Sequence, residues 1–386
     1  MRPKILVSAG EASGDLYASQ LVNAIRREHP NADFFGCAGP RMRAAGVREV
    51  VDAASLAVVG LVEVIHHIPR IYGEFRKLVE SARIERPDLA ILTDSPDFNL
   101  RVATKLRKLG IPVLYLIAPQ VWAWREGRVK RMKRDLDRVL CIFPFEEEYF
   151  ARHGVTATYI GHPLTWTARP ELLKEDFFKK HALDASKPLI TLLPGSRVGE
   201  VARHLPAVTD ASHILHKRTQ ANIILATPVQ FAARAGASFF QERIGGSSIQ
   251  VLEGETSDAL AHADVAIAAS GTVTIEAAIL GTPMVTFYKV TALSWALGRF
   301  LVRVPYYSMV NLVAGAKVVP ELMQNEATGE RLAAEALRLL KDAGSRAEMK
   351  RSLAEVTSKL AAPDHPMERA ARIVDEYLKR SVGDKI

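Results

Sequence analysis

The feature of this sequence that most restricts its fold is the alternation of short β-rich runs with amphipathic helical stretches. In the first half of the chain, β-rich runs occur at residues 4–8, 33–36, 88–93, 112–117, 138–143 and 156–160, with helical patterns between them. Strands and helices in alternation form a parallel sheet that helices cover on both faces. The first half is therefore predicted to be an α/β domain.

The alternation stops and then starts again. Residues 161–187 contain the tetrapeptide GHPL, Pro170 and a charged helical stretch, a composition typical of a connection between domains. New β-rich runs follow at residues 189–193, 222–226, 249–252, 264–268 and 283–287. The second half is therefore predicted to repeat the architecture of the first.

We predict an α/β fold with two Rossmann-like doubly wound domains that face a central cleft. The chain of 386 residues is long enough for two cores. The predicted domains are residues 1–165 and residues 166–360. Residues 361–386 are predicted to form a helix that packs on the first domain of the same chain or of a partner chain.

The composition restricts the compartment and the class of partner. Two cysteines, Cys37 and Cys141, lie far apart on apolar segments, so the sequence offers neither a disulfide framework nor a cysteine metal site. No segment approaches the roughly 20 uncharged apolar residues that span a bilayer. The net charge of +8 favours an anionic partner: nucleic acid, anionic lipid or a phosphorylated substrate.

Half of this positive charge lies in residues 124–138, which hold seven cations and three anions. A solvated helix face is the simpler interpretation of such a run. The alternative is a cationic rim near anionic lipid or phosphate, which the neighbouring Trp122 and Trp124 favour because tryptophan prefers interfaces.

Two loops of the first half follow predicted strands, where ligands bind in open α/β sheets. Residues 10–15, GEASGD, lack the third glycine of the dinucleotide signature, and Glu11 and Asp15 would repel a pyrophosphate. We therefore predict that this loop binds an acceptor. The alternative is a helix start in which Ser13 is the N-cap and Asp15 lies in the first turn.

The second of these loops, residues 93–99, carries Asp94 and Asp97 at the end of a strand. A carboxylate there suits general base catalysis on a hydroxyl group, which requires an acceptor within about 2.6–3.2 Å. Asp94 is nearer the strand end and is the predicted base. Asp97 or Ser95 alternatively caps the following helix, with Pro96 in its first turn.

The second half also has two unusual loops after strands. Residues 193–200 contain Ser196 and Arg197, and a guanidinium group suits a diphosphate. Residues 270–276 place small hydroxyl residues at a helix start, where backbone N–H groups and the helix dipole would hold phosphate oxygens. Glu276, one turn further, is predicted to accept hydrogen bonds from ribose hydroxyls.

Several signatures are missing from the sequence. It contains no G-x-x-x-x-G-K-[ST] loop, which argues against an ATPase or GTPase, and no His or Cys spacing typical of zinc. Asp135 and Asp137 have the spacing of some metal–diphosphate sites but lie within the basic run, so we interpret them as neutralising their neighbours. We predict no metal, with helix termini and Arg197 stabilising a leaving diphosphate.

The stretch that starts at Leu61 has apolar residues at a period of 3.6, and Pro69 is predicted to kink the helix. The pattern alone supports two interpretations equally. One is a stripe that faces the core. The other is an amphipathic element with cationic edges that lies in a lipid surface.

Seven segments together closely resemble the lipid A disaccharide synthase family, which couples two acylated glucosamines in Gram-negative bacteria. The resemblance extends from residue 5 to about residue 325. In order, the segments are GEASGD at 10–15, DSPDFN at 94–99, APQVWAWREGR at 118–128, FPFEEEYF at 143–150, GHPL at 161–164, LPGSR at 193–197 and SGTVTIEAA at 270–278.

The resemblance implies an inverting GT-B glycosyltransferase, a hexosyltransferase that uses no metal and no cofactor. The implied donor is UDP-2,3-diacylglucosamine and the implied acceptor is 2,3-diacylglucosamine 1-phosphate, which give a β-1,6 disaccharide 1-phosphate and UDP. The implied partners include the inner-membrane lipid surface and exclude nucleic acid, and a homodimer is left open. The implied location is cytoplasmic, peripherally attached to the inner membrane.

The resemblance also implies residue roles. Asp94 resembles the family's essential aspartate, with Glu11 and Asp97 as the other candidates for the base, and Glu11, Ser13 and Gly14 would lie on the acceptor side. Arg197 and Asn311 match positions expected to hold the diphosphate and neighbouring donor groups. The implied contacts to phosphate and ribose are Ser196, Ser270, Gly271, Thr272 and Glu276, and the implied membrane-associating residues are Val58, Val59, Val64, Ile68, Ile71 and Tyr72.

Other functions remain compatible with the same fold, because a GT-B architecture does not fix the reaction. One alternative is another GT-B enzyme, either a UDP-GlcNAc 2-epimerase or a sugar transferase that acts on polyprenyl acceptors. The other is a protein that binds a nucleotide sugar without reacting with it.

Overall fold

The repeated alternation of strands and helices builds two parallel sheets, each in its own part of the chain. A computed structural model describes residues 2–56, 61–124, 126–291, 295 and 304–383, and of residues 61–67, 124, 126 and 381–383 it describes the backbone alone. Two units are present: Met1–Pro163 with Ala362–Ile386 form the first, and Leu164–Ala361 form the second. Both contain a parallel sheet with intervening helices, so the predicted α/β class with two doubly wound domains is confirmed.

The first unit contains a seven-stranded parallel sheet in the order β3-β2-β1-β4-β5-β6-β7. All five residues of β4 are buried, as expected for a strand in a sheet that is covered on both faces. The strands are β1 Lys4–Ala9, β2 Asp33–Ala38, β3 Arg48–Asp52, β4 Leu89–Thr93, β5 Val113–Leu116, β6 Arg138–Cys141 and β7 Ala157–Tyr159.

The helices of the first unit include the long α3, which contains Pro69, and α4, which begins at Pro96. Proline suits the first turn of a helix because its missing N–H would have no partner there. The helices are α1 Ala12–Glu28, α2 Pro40–Ala44, α3 Leu61–Glu85, α4 Pro96–Lys108, α5 Val121–Trp124, α6 Val129–Asp135 and α7 Pro144–Arg152.

The second unit contains a six-stranded parallel sheet in the order β10-β9-β8-β11-β12-β13. Its strands are β8 Leu189–Leu193, β9 Asn222–Thr227, β10 Ile249–Glu253, β11 Val265–Ala269, β12 Met284–Tyr288 and β13 Glu321–Met323. Its described helices are α8 Leu164–Thr167, α9 Lys174–Lys180, α10 Val198–Thr219, α11 Phe231–Ala235, α12 Phe239–Ile244, α13 Thr256–Ala261, α14 Thr272–Ile279, α15 Met309–Ala314, α16 Gly329–Lys341 and α17 Ala343–Leu360.

The segment interpreted as an interdomain connection is largely part of the second unit. Residues 164–187 contain α8 and α9, and Phe177 and Phe178 of α9 are buried. The last helix, α18 Pro366–Gly383, packs on α1 within the same chain. There His29 Nε2 lies 3.1 Å from Asp375 Oδ1.

The two sheets share one topological feature. In each, the strand order reverses beside the first strand of the unit, between β1 and β4 in the first sheet and between β8 and β11 in the second. Loops that leave the carboxyl ends of such neighbouring strands form the ligand-binding crevice of open α/β sheets. All four loops selected from the sequence leave these four strands.

Two strands were missed by the sequence prediction, β3 and β13. Each lies at the edge of its sheet. Four of the five residues of β3 are not buried, so the strand lacks the apolar run by which the central strands are recognised.

Among the helices in the described part of the chain, none is long and apolar enough to cross a bilayer.

Candidate active site

The loops after β1 and β4 are joined by the carboxylate of Asp94. Asp94 Oδ1 accepts a hydrogen bond from the backbone N–H of Gly10 at 2.7 Å, and Oδ2 accepts one from the backbone N–H of Glu11 at 3.0 Å. A carboxylate has about four acceptor positions, so each oxygen retains capacity for another proton donor. The predicted base therefore lies at the crevice of the first sheet with lone pairs available.

The glycines of the GEASGD loop make room for the loop after β4. A Cβ atom on Gly14 would lie 1.7 Å from Asp94 Oδ2, and one on Gly10 would lie 2.4 Å from Ser95 Oγ. Non-bonded heavy atoms do not approach a Cβ atom this closely in folded proteins. The sequence assigned Gly14 to the acceptor, whereas the structure places it against the side chain of Asp94.

The backbone of Asp94 is held in an unusual conformation by two buried side chains. Asp94 and Ser95 have φ angles of +47° and +35°, in the left-handed region that costs about 1–3 kcal/mol per residue. The carbonyl of Asp94 accepts hydrogen bonds from Tyr115 Oη at 2.5 Å and from Asn99 Nδ2 at 3.2 Å. Asn99 Nδ2 also donates to the carbonyl of Thr93 at 2.7 Å.

The sequence analysis missed Asn99 and Tyr115 as site residues. Asn99 is the last residue of the DSPDFN segment, and Tyr115 places a hydroxyl group in the otherwise apolar strand β5. A polar atom in a buried strand requires a hydrogen-bond partner, and this is the signal by which Tyr115 could have been selected.

Burial raises the pKa of Asp94 from its ordinary 3.8 to about 7. Desolvation disfavours the charged form and outweighs the two backbone hydrogen bonds, which favour it, while the nearby charge of Glu11 adds to the increase. A carboxyl group whose pKa is close to neutrality is well matched to accept a proton from a hydroxyl group.

The other acidic side chains near Asp94 have different environments. Glu11 is exposed and is the N-cap residue of α1, so the N-cap interpretation of Ser13 is wrong, and Ser13 is an exposed residue of the first turn. The side chain of Asp97 is 76% exposed and pairs with Arg128. Asp15 is buried and accepts hydrogen bonds from three backbone N–H groups, including Gly39 at 3.0 Å, at the start of α2.

In the second unit, the loop after β8 leads into α10. Ser196 and Arg197 are exposed, and Arg197 is the N-cap residue of the helix. Glu200 Oε2 folds back and accepts a hydrogen bond from the backbone N–H of Ser196 at 3.1 Å. The guanidinium group predicted to bind a diphosphate is thus presented at a helix N-terminus.

A buried histidine that the sequence analysis missed fixes this loop. His204 Nδ1 lies 2.6 Å from the carbonyl oxygen of Pro194, and His204 Nε2 accepts a hydrogen bond from the backbone N–H of Lys289 at 3.0 Å. Desolvation lowers the pKa of His204, so the imidazole is neutral. The neutral ring donates to Pro194 and accepts from Lys289, and so joins the loop after β8 to the loop after β12.

The loop after β11 places hydroxyl groups at the start of α14. Gly271 is the N-cap residue and Thr272 is exposed in the first turn. Ser270 Oγ donates a hydrogen bond to the carbonyl of Tyr307 at 2.7 Å. Glu276 accepts a hydrogen bond from Ser257 Oγ at 2.6 Å, and burial raises its pKa.

Asn311 is buried and its side chain is fully bonded within the chain. Its Nδ2 donates to Glu321 Oε1 at 2.8 Å and its Oδ1 accepts from the backbone N–H of Val319 at 2.9 Å. Glu321 in turn accepts from the backbone N–H groups of Tyr307 and Ser308. The structure therefore connects Asn311 to the segment that contacts Ser270.

The predicted membrane-associating residues are only partly described. Val58 and Val59 lie outside the described residues, and of Val64 the backbone alone is described. Ile68 and Tyr72 are 54% and 60% exposed. Ile71 packs against the hydrophobic core of the first unit.

Solved structures with the same fold include glycosyltransferases and epimerases. An MnaA-UDP co-structure from S. aureus has a TM-score of 0.68 at 13% identity and covers 98% of this chain and 97% of that chain. The calicheamicin glycosyltransferase CalG4 has a TM-score of 0.59 at 15% identity and covers 98% of this chain and 99% of that chain. At these identities the likeness shows a common GT-B fold.

The sequence comparisons are far more specific. The sequence model of the family described as Lipid-A-disaccharide synthetase matches residues 5–373. The lipid-A-disaccharide synthase of Solibacter usitatus (strain Ellin6076) is 62% identical over 380 residues, 98% of this chain and 99% of that protein. The protein of that name from Koribacter versatilis (strain Ellin345) is 43% identical over 384 residues, 98% of this chain and 99% of that protein. The chain belongs to the lipid-A-disaccharide synthetase family.

Proposed function

We propose that this hexosyltransferase joins UDP-2,3-diacylglucosamine to 2,3-diacylglucosamine 1-phosphate and releases UDP and a β-1,6-linked disaccharide 1-phosphate. Family membership over almost the whole chain supports the reaction. The observation that carries the assignment of the base is the carboxyl group of Asp94, held by two backbone N–H groups with its pKa raised to about 7.

The proposed chemistry is a single displacement at the anomeric carbon of the donor. Asp94 accepts the proton of the acceptor's 6-hydroxyl group as that oxygen forms a bond to C1. The bond between C1 and the UDP oxygen breaks on the opposite side, so UDP leaves with the bonding electron pair and the configuration at C1 is inverted. The base contributes about 10²- to 10⁴-fold to the rate.

The second unit is proposed to bind the UDP group. Arg197 and the N-terminus of α14 follow the neighbouring strands β8 and β11, and both offer donors to phosphate oxygens. In this proposal the backbone N–H groups after Gly271, with the hydroxyl group of Thr272, hold the diphosphate. Stabilisation of charge on the leaving group is generally a large contribution to the rate of such reactions.

Other predicted residues receive more limited roles. Ser196 is proposed to contact the diphosphate beside Arg197, and Glu276 is proposed to accept from ribose hydroxyls. Asn311 is proposed to position the segment that contacts Ser270, because its own amide group is buried and fully bonded. On the acceptor side, Glu11 and Ser13 are proposed to contact the sugar from the exposed first turn of α1.

Attachment to the inner-membrane surface is part of the proposal because both substrates carry acyl chains. The exposed Ile68 and Tyr72 on α3 support it. Apolar side chains of this kind bind a lipid surface when they lie together on one face of a helix.

The decisive experiment is to incubate the purified chain with both acylated sugars and to detect the product by mass spectrometry. Formation of the coupled disaccharide and of one UDP per disaccharide is expected. Consumption of UDP-GlcNAc without a second sugar would instead indicate an epimerase. Binding of UDP without any turnover would indicate a non-catalytic nucleotide-sugar-binding protein.

A further inference from the structure

A groove of about 970 Å³ in the first unit has one apolar wall and one cationic wall. The apolar wall comes from α3 and includes Ile68, Tyr72 and Phe75. Phe75 stacks on Tyr72 and makes a T-shaped contact with Phe98, and in each pair the ring centroids are 6.1 Å apart. This wall is an ordered aromatic and aliphatic surface that is open to solvent.

The lining that comes from α4 and α6 is mainly basic, and it also includes Asp97, whose carboxylate pairs with Arg128. Arg101 and Lys105 are four residues apart and Arg131 and Arg134 are three apart, so each pair lies on one face of its helix. Arg134 is neutralised by Asp135, at 2.7 Å, as interpreted from the sequence. For Arg101, Lys105 and Arg131, no carboxylate within the described ranges lies at ion-pairing distance.

The end of the groove is the candidate active site. Ser95 and Glu11 line it there, and both adjoin the carboxylate of Asp94. An occupant that fits all three regions has an acyl chain for the apolar wall, an anionic group for the cations and a hydroxyl group at the polar end. This combination of chemistries describes an acylated sugar phosphate.

We propose that Arg101, Lys105 and Arg131 form the site for the acceptor's phosphate group, which orients the sugar so that its free hydroxyl reaches Asp94. The inference rests on the proposed function and adds to it the residues that select a phosphorylated acceptor. Arg101 is the cation nearest the start of α4. It lies about 8 Å along the helix axis from Pro96, because an α-helix rises about 1.5 Å per residue.

Pro96 and Arg101 both line the groove, so this cation lies towards the end of α4 that is nearer to Asp94. Lys105 follows one turn later on the same face, and Arg131 reaches the groove from α6. A phosphate monoester carries up to two negative charges, so several unpaired cations are needed to replace its hydration. A guanidinium group also provides paired donors to phosphate oxygens.

The test compares two acceptors with the full chain: the 1-phosphate sugar and the same acylated sugar without its phosphate. Arg101→Ser and Arg131→Ser are each expected to reduce kcat/KM for the phosphorylated acceptor about tenfold, since a hydrogen bond to a charged group contributes about that factor. The values for the acceptor without phosphate, and the KM of the donor, are expected to stay unchanged. Arg101→Lys is expected to recover part of the loss.

Matched controls come from the same two helices. Lys108→Ser on α4 and Lys130→Ser on α6 remove the same charge from exposed positions that do not line the groove, and they are expected to leave both acceptors unaffected. A second measurement needs no variant. A single-chain alkyl phosphate below its micelle concentration is expected to compete with the acceptor at least tenfold better than an uncharged alkyl glucoside of the same chain length.

The outcomes separate this inference from the proposed function. If the wild-type chain forms the disaccharide but the groove variants lose activity equally with both acceptors, the inference is wrong. It is also wrong if these variants only lose binding to phosphatidylglycerol vesicles, because the cations then bind lipid headgroups. If the wild-type chain does not couple the sugars, the proposed function fails, and calorimetry with the alkyl phosphate still decides the inference.

Discussion

Gly14 and Asp94 occupy one tightly packed space, because a Cβ atom on Gly14 would lie 1.7 Å from Asp94 Oδ2. The first helix begins beside the carboxylate of Asp94, the residue that follows β4, and only a residue without a side chain fits there. The GEASGD and DSPDFN segments are therefore parts of one structure. The glycine requirement lies in the packing between two neighbouring loops. In the proposed reaction, the loop after β1 serves to hold the carboxylate of Asp94.

Substitution of Gly14 by alanine is expected to reduce both stability and turnover. The added methyl group must displace the Asp94 carboxylate, and overpacking of this kind costs about 1–3 kcal/mol. Thermal unfolding and kcat report the two effects. Gly73→Ala in α3 is the matched control: nothing lies within 4 Å of its added Cβ atom, and alanine there is expected to stabilise the helix by up to about 1 kcal/mol. Normal kcat in Gly14→Ala would contradict the packing argument.

Asp94→Asn is expected to reduce kcat about 10²- to 10⁴-fold, because an amide cannot accept the proton of the acceptor hydroxyl. The affinity for UDP, measured by calorimetry, is expected to stay the same, since the proposed UDP site lies in the second unit. Asp176→Asn, at an exposed position of α9, is the control for the same chemical change. Equal turnover in Asp94→Asn and the wild type would exclude Asp94 as the base.

The rate is also expected to depend on pH through this group. With a pKa of about 7, Asp94 is ionised and active above that pH, and kcat/KM should fall tenfold per pH unit well below it. The profile is measured with saturating donor. A profile that is flat between pH 5 and pH 8 would contradict a base with a pKa of about 7.

The sequence revealed the four loops because each follows a strongly apolar central strand and opens a helix. The strand order then brings these loops together in pairs, and no local pattern contains that information. Asn99, Tyr115 and His204 were missed for a related reason. Each acts through hydrogen bonds to backbone groups from distant parts of a loop or from another strand, so its role depends on tertiary contacts.

The raised pKa of Asp94 predicts that stability and activity change in opposite directions with pH: as pH rises, the free energy of unfolding falls while the rate increases. Between pH 3.8 and about 7 the unfolded chain ionises at Asp94 while the folded chain keeps the proton, so the free energy of unfolding falls as pH rises through this window. Asp94→Asn removes the titration. Its melting temperature relative to the wild type is expected to rise between pH 4 and pH 8. A difference that is constant with pH would contradict the raised pKa.

His204 is expected to control donor binding without touching the donor. Its neutral ring joins the carbonyl of Pro194 to the backbone N–H of Lys289, and so fixes the loop that presents Arg197.

His204→Phe retains much of the ring packing against Phe287 but removes both hydrogen bonds, which contribute about 0.5–1.5 kcal/mol each. The KM for the UDP-sugar is expected to rise about tenfold, with the KM for the acceptor unchanged. His216→Phe, near the C-terminus of the same helix α10, is the control for general destabilisation of the second unit. If both KM values change together in His204→Phe, the histidine supports the fold of the unit and has no separate part in presenting Arg197.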